Sequence, residues 1–149
     1  MYTTQIVNRK LRCMQPVFNS HTKKDMLKTG LSYESHELVS STNVAAAMGS
    51  GDLEVFATPA MIALMENAAM KCVQNELEEG STTVGTNMSV SHVRATPIGR
   101  EVRAAATLTT IDGRRLVFDV RAFEGDTEIG TGTHERFIVE RQKFMNRLR

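Results

Sequence analysis

Between Glu54 and Gly80 the apolar positions recur at spacings of three and four. Met61, Leu64, Met65, Ala68, Ala69 and Cys72 fall on one stripe, the period of a helix with one face on a core. The flanks carry start and stop signals. Thr58 is placed to cap the first turn, Pro59 to occupy the first helical position, and Gly80 to close the far end in a left-handed conformation. Asn67, Lys71, Gln74 and Glu78 share the opposite arc, which reads as the solvent face. Upstream, Leu31 to Val39 alternates imperfectly and reads as a strand. Ser40 to Asp52 reads as a loop, small-residued enough to cover something or simply to connect. Downstream, Thr82 to Thr96, Glu101 to Ile111, Arg115 to Phe123 and Thr127 to Arg141 show the period of strands, with Asp112-Gly113 as a hairpin signal. One strand, one long helix and four further strands predict an α+β domain in which about five antiparallel strands wrap around the helix.

Two polar residues interrupt these faces. Glu66 falls beside Ile62, Met70, Val73 and Leu77, where a carboxylate is partly desolvated unless something polar meets it or it is put to use. The ordinary alternative is a border glutamate that reaches water or pairs with an arginine. His92 shares a face with Met88 and Val90, the setting of a core histidine as much as of a catalyst. In the last strand, alternation puts His134 and Arg136 on one face and Glu135 on the other. Gly130 and Gly132 there serve either strand curvature or the close approach of a ligand, with curvature favoured.

The totals narrow the function. The chain has 149 residues and a formal net charge of +1, one domain's worth with no electrostatic case for nucleic acid or an anionic membrane. No stretch approaches the length of a bilayer span, which predicts a soluble, cytoplasmic protein. Cys13 and Cys72 are the two cysteines, and His21, His36, His92 and His134 lack zinc-binding spacings, so neither a disulfide framework nor a metal site is expected. Residues 1–26 are basic, show no period and read as a loosely ordered extension before a domain at 27–149. Met26 as an alternative start and a targeting peptide are the other readings of that segment.

A string of motifs at fixed separations carries a resemblance over about Leu31 to Phe144. Glu54-Val-Phe-Ala-Thr58, Leu64-Met-Glu66, Gly85-Thr86, His92 with Ala95-Thr-Pro97, Asp112-Gly-Arg-Arg-Leu116 and Glu128-Ile-Gly-Thr-Gly-Thr-His-Glu-Arg136 resemble the fluoroacetyl-CoA thioesterase family. The resemblance implies a hotdog fold and an acyl-CoA thioesterase that works as a homodimer or dimer of dimers and takes its CoA thioester as substrate with no cofactor. It implies catalytic roles for Thr58, Glu66 and His92, and contacts to the thioester ligand for Gly85 and Arg136. Where the family's first enzyme has lid phenylalanines before the helix, this chain has Gly49 and Asp52, so fluorinated-acyl selectivity does not carry over.

Thioester hydrolysis needs a nucleophile or activated water, and donors for the oxyanion. Glu66 is suited to attack the carbonyl or to act as base on water, His92 to shuttle the proton, and Thr58 with the first-turn amides to hold the oxyanion. Eight residues along a helix separate Thr58 from Glu66 by roughly 12 Å, so a strand, a water or a second subunit must bring the groups together. Arg94, Arg100, Arg114 and Arg115 are available for the CoA phosphates. The competing reading is a non-catalytic hotdog module that binds or senses an acyl thioester. A hotdog dehydratase is disfavoured, because the helix region has no aspartate and histidine pair.

Overall fold

In the computed structural model, residues 27–149 are described. The reading of residues 1–26 as an extension lies outside them. The elements run β1 (Ser32–Leu38), α1 (Ala45–Met48), α2 (Thr58–Gln74), β2 (Ser81–His92), β3 (Glu101–Asp112), β4 (Arg115–Glu124), β5 (Thr127–Glu140) and α3 (Arg141–Asn146). The five strands form one antiparallel sheet in the order β1-β3-β4-β5-β2. Its concave face holds α2, and β2 stands at an edge.

Alternation explains the layer. Val102, Ala104, Ala106 and Leu108 on β3 and Leu116, Phe118, Val120 and Ala122 on β4 are all fully buried against the helix stripe. Ala104, Ala106 and Ala122 on the sheet and Ala60, Ala68 and Ala69 on the helix are all buried in the same core, and small residues in both layers let them approach. Met61 and Met65 fill the space between, each fully buried and each contributing about 1.5–3 kcal/mol. Gly130 and Gly132 of β5 make room for the adjoining strand and for Met61. A Cβ at Gly132 would lie 2.0 Å from the Ser89 carbonyl oxygen, and one at Gly130 would meet Ser91 O at 2.6 Å and Met61 Sδ at 2.7 Å. The neighbouring backbone occupies the space that a side chain would need.

The helix differs from its sequence reading at both ends. It begins at Thr58, with Ala57 as the N-cap residue and no side-chain capping bond, because the Thr58 hydroxyl is engaged elsewhere. It ends at Gln74, six residues short of Gly80. Glu76 N–H bonds the Val73 carbonyl at 2.9 Å, tightening the last turn so that Leu77 folds back onto the core. Gly80, at φ +81°, serves the turn into β2 instead. The arc read as solvent-facing is partly covered by β1. Asn67 Oδ1 accepts from Ser35 Oγ at 2.8 Å, and the Lys71 ammonium lies over the Tyr33 ring.

Smaller differences follow the same logic. The loop between β1 and α2 contains the single turn α1, with Gly49 left-handed behind it. Asp112 pairs with Arg115, so the hairpin turn is Gly113-Arg114, and Gly113 alone supplies the positive φ. After β5 the Glu140 carboxylate accepts from the amides of Gln142 and Lys143, starting α3, which the strand-like reading to Arg141 did not contain.

Candidate active site

Thr58 and His92 come together because the chain before α2 is tied to the chain after β2. Phe56 N–H donates to the Thr96 carbonyl at 2.8 Å, Val55 bridges Pro97, and Ala57 N–H donates to Asn43 O at 3.0 Å. Asn43 is itself held by Nδ2 bonds to Glu37 and to the Leu38 carbonyl. The first turn of α2 is thereby fixed beside the last residue of β2, and Thr58 Oγ1 lies 2.8 Å from His92 Nδ1. His92 is half-buried, and its Nε2 is buried with no partner among the described residues. Burial pushes this imidazole below its ordinary value, against an upward pull from the Arg94 backbone. The amides of Thr58 and Ala60 have no acceptor among the described residues, as expected of a helix N-terminus, and the helix dipole there favours negative charge.

A second cluster gathers around Gly85. A Cβ built there would lie 3.2 Å from His134 Cε1, 3.3 Å from Glu66 Oε1 and 3.5 Å from Arg136 Nη1, so three polar side chains close on one bare backbone position. Arg136 is the direct cross-strand partner of Gly85, and His134 that of Met88. Between them the register shifts at Thr86, a bulge that carries the inward face from Thr83 and Gly85 to Met88, Val90 and His92. Were the strand to alternate regularly through Thr86, Gly85 and His92 would face opposite sides of the sheet.

Arg136 is buried and anchored. Nε donates to Thr83 Oγ1 at 2.8 Å and Nη2 to the Thr83 carbonyl at 2.9 Å, while Nη1 lies 3.2 Å from His134 Nε2. Burial lowers its affinity for its proton, and the charge of Glu66 works in the other direction. Glu66 is half-buried, and among the described residues nothing hydrogen-bonds its carboxylate and no ion pair joins it to Arg136.

All five residues singled out from the sequence therefore line the helix and the inner face of β2 and β5, but as two groups. Thr58 pairs with His92, and Glu66 meets Gly85 and Arg136. Along β2 the groups are separated by roughly 20 Å. The imidazole beside Glu66 within one chain is His134, not His92. His134 and Thr83 were missed as site residues, although alternation had already placed His134 on the face of Arg136. Gly49 and Asp52 are exposed, and no aromatic side chain stands at either position. Among the described residues no group of three or more His, Cys, Asp or Glu side chains is placed to hold a metal ion.

A five-stranded sheet curled around one helix, with a carboxylate and a threonine–histidine pair along that helix, defines a hotdog protein of the thioesterase superfamily type. A Thermus thermophilus thioesterase superfamily member superposes with TM-score 0.75 at 26% identity, over 81% of this chain and 90% of that one. The profile of the family FlK, fluoroacetyl-CoA-specific thioesterase, matches residues 39–142, and the chain belongs to that family. The fluoroacetyl-CoA thioesterase of Streptantibioticus cattleyicolor is 44% identical over 96 residues, which are 64% of this chain and 69% of that protein. The solved structure of the fluoroacetyl-CoA thioesterase FlK superposes with TM-score 0.76 at 34% identity, covering 82% of this chain and 95% of its own. A mutant of that enzyme in complex with fluoroacetate and CoA gives TM-score 0.74 at 35% identity, over 79% and 99% of the two chains.

Proposed function

We propose that this protein is an acyl-CoA thioesterase, hydrolysing a small or medium acyl-CoA to the free acid and CoA. The observation that carries the proposal is the Thr58–His92 contact beside two unpartnered first-turn amides. In this reading the Thr58 hydroxyl and those amides hold the oxyanion, and His92, kept neutral by burial, moves the proton. Glu66 either attacks the carbonyl and expels the CoA thiolate, giving a mixed anhydride that water cleaves to the free acid and the regenerated carboxylate, or takes a proton from the water that displaces the thiolate. Gly85 lets the thioester approach the strand backbone, and Arg136 offers its remaining N–H groups over that opening.

The separation of the two groups supports a homodimer. β2 is a twelve-residue edge strand whose outer hydrogen-bonding edge is unpaired among the described residues, a ready template for a second copy. Antiparallel pairing of two β2 strands about a two-fold near Met88 sets His92 of one protomer against the partner's Gly85 and Glu66, and makes two equivalent composite sites.

The absence of aromatic side chains at Gly49 and Asp52 leaves the choice of acyl group open to non-fluorinated chains. Among the described residues no helix is long and apolar enough to cross a membrane. A cytoplasmic location and a reaction without metal or cofactor rest on the sequence argument. Release of free thiol from a panel of acyl-CoAs, fluoroacetyl-CoA included, tests the proposal. Turnover of at least one member is expected. No turnover together with ligand-induced thermal stabilisation would instead support a binding or sensing module.

A further inference from the structure

His134 is fully buried, yet the chemistry above gives it no task. Its two ring nitrogens have different partners. Nδ1 lies 2.7 Å from the Asn87 carbonyl, which can only accept, so Nδ1 carries the proton. Nε2 lies 3.2 Å from Arg136 Nη1, which can only donate, so Nε2 presents a lone pair. Asn87 directly follows the Thr86 bulge. Both contacts fit one species, the neutral imidazole protonated on Nδ1.

We propose that His134 is a positioning residue for hydrolysis: as a neutral Nδ1–H imidazole it accepts one Nη1 proton of Arg136 and so holds the guanidinium over Gly85, apart from Glu66. This rests on the thioesterase reading of the site. Without that acceptor, Arg136 stays held at Thr83 through Nε and Nη2, but Nη1 loses its partner and can turn to the nearby Glu66 carboxylate, narrowing the opening over Gly85 and tying up the group that must attack or take a proton. A charged His134 would do the same, since an imidazolium has no lone pair for Arg136 and repels it. The groups that set its charge lie on four elements. The Asn87 carbonyl on β2, Glu66 on α2 and Glu135 on β5 favour the proton, Arg136 on β5 opposes it, and β4 contributes the uncharged Phe118 ring. Burial is the largest influence and keeps the ring neutral.

Two variants separate positioning from packing. H134F keeps the ring volume but removes both contacts, and should lower kcat/KM about tenfold to a hundredfold. H134Q can place an uncharged oxygen near the Nε2 position and should recover most of that loss. In an R136K background H134F should cost little more, whereas a packing role would subtract equally in both backgrounds. Nitrogen-15 shifts of the His134 ring provide a readout independent of activity, and should show the neutral Nδ1–H tautomer at pH 7. An Nε2–H tautomer, an imidazolium at that pH, or equal losses with and without Arg136 would overturn the proposal. If the tautomer is as expected and no acyl-CoA is hydrolysed, the thioesterase reading fails and the placement of Arg136 stands.

Discussion

The hydroxyl of Thr58 lies 2.8 Å from Nδ1 of His92, a contact between residues 34 apart in sequence. It replaces the capping bond that a threonine at a helix start ordinarily makes, and Ala57 holds the cap position instead. A T58V substitution therefore removes no cap. It should change thermal stability little while lowering kcat by about a hundredfold or more, the range for losing one oxyanion donor. Parallel melting curves and steady-state rates check this. A large loss of stability with activity retained would return Thr58 to an ordinary capping role.

Gly85 is the position where a single methyl group separates the chemistry from the fold. The Cβ of G85A would press on His134 and Glu66 at 3.2 and 3.3 Å, contacts that side-chain ends can relieve by small shifts. We expect a folded protein, destabilised by about 1–3 kcal/mol, with kcat/KM reduced at least tenfold. G132A is the contrast, since its Cβ would lie 2.0 Å from a backbone oxygen of β2. It should disrupt the β2–β5 pairing and lower Tm far more than G85A does.

Glu66 has no hydrogen-bond partner among the described residues, and its charge reaches the buried Arg136 only through space. E66Q should therefore lower unfolding free energy modestly, by about 1 kcal/mol. Hydrolysis should fall by orders of magnitude. Wild-type hydrolysis by E66Q would remove the residue from the mechanism even if the activity itself is real.

The two inward-facing imidazoles set the acid response. His92 and His134 both sit below their ordinary value of 6.5 in the folded chain, burial being the main cause in each. The unfolded chain therefore binds more protons than the folded one as pH falls from that value toward the folded ones. Stability is fully present above about 6.5 and declines as pH drops through the folded values. Tm measured from pH 7.5 down to 5 should fall, and H134Q should flatten part of that slope. A Tm that is constant or rises over this window would contradict the burial of these rings.

The strands and the helix stripe were legible because each rests on a local period, and the buried residues of α2 include all six positions of the Met61–Cys72 stripe. The ends of α2 were not, because tertiary partners set them. His92 takes the hydroxyl that would have capped the helix, and the burial of Leu77 turns the chain before Gly80. The bulge at Thr86 left no mark in the residue pattern. It nonetheless decides that Gly85 and His92 share a face. Residue spacing alone marked Glu66 as misplaced, yet could not tell which imidazole it meets. The roughly 12 Å along α2 between Thr58 and Glu66 left a strand, a water or a second subunit to bring the groups together, and spacing could not choose among them.

Composite sites at a β2–β2 dimer interface are the central claim, and subunit mixing tests it most directly. E66Q and H92A proteins, each inactive alone, are unfolded together, refolded and assayed for acyl-CoA hydrolysis. If a site takes Glu66 from one protomer and His92 from its partner, each heterodimer carries one intact site. Statistical mixing then restores about a quarter of wild-type activity. Mixed samples that form heterodimers and stay as inactive as their parents would show that both residues must belong to the same chain.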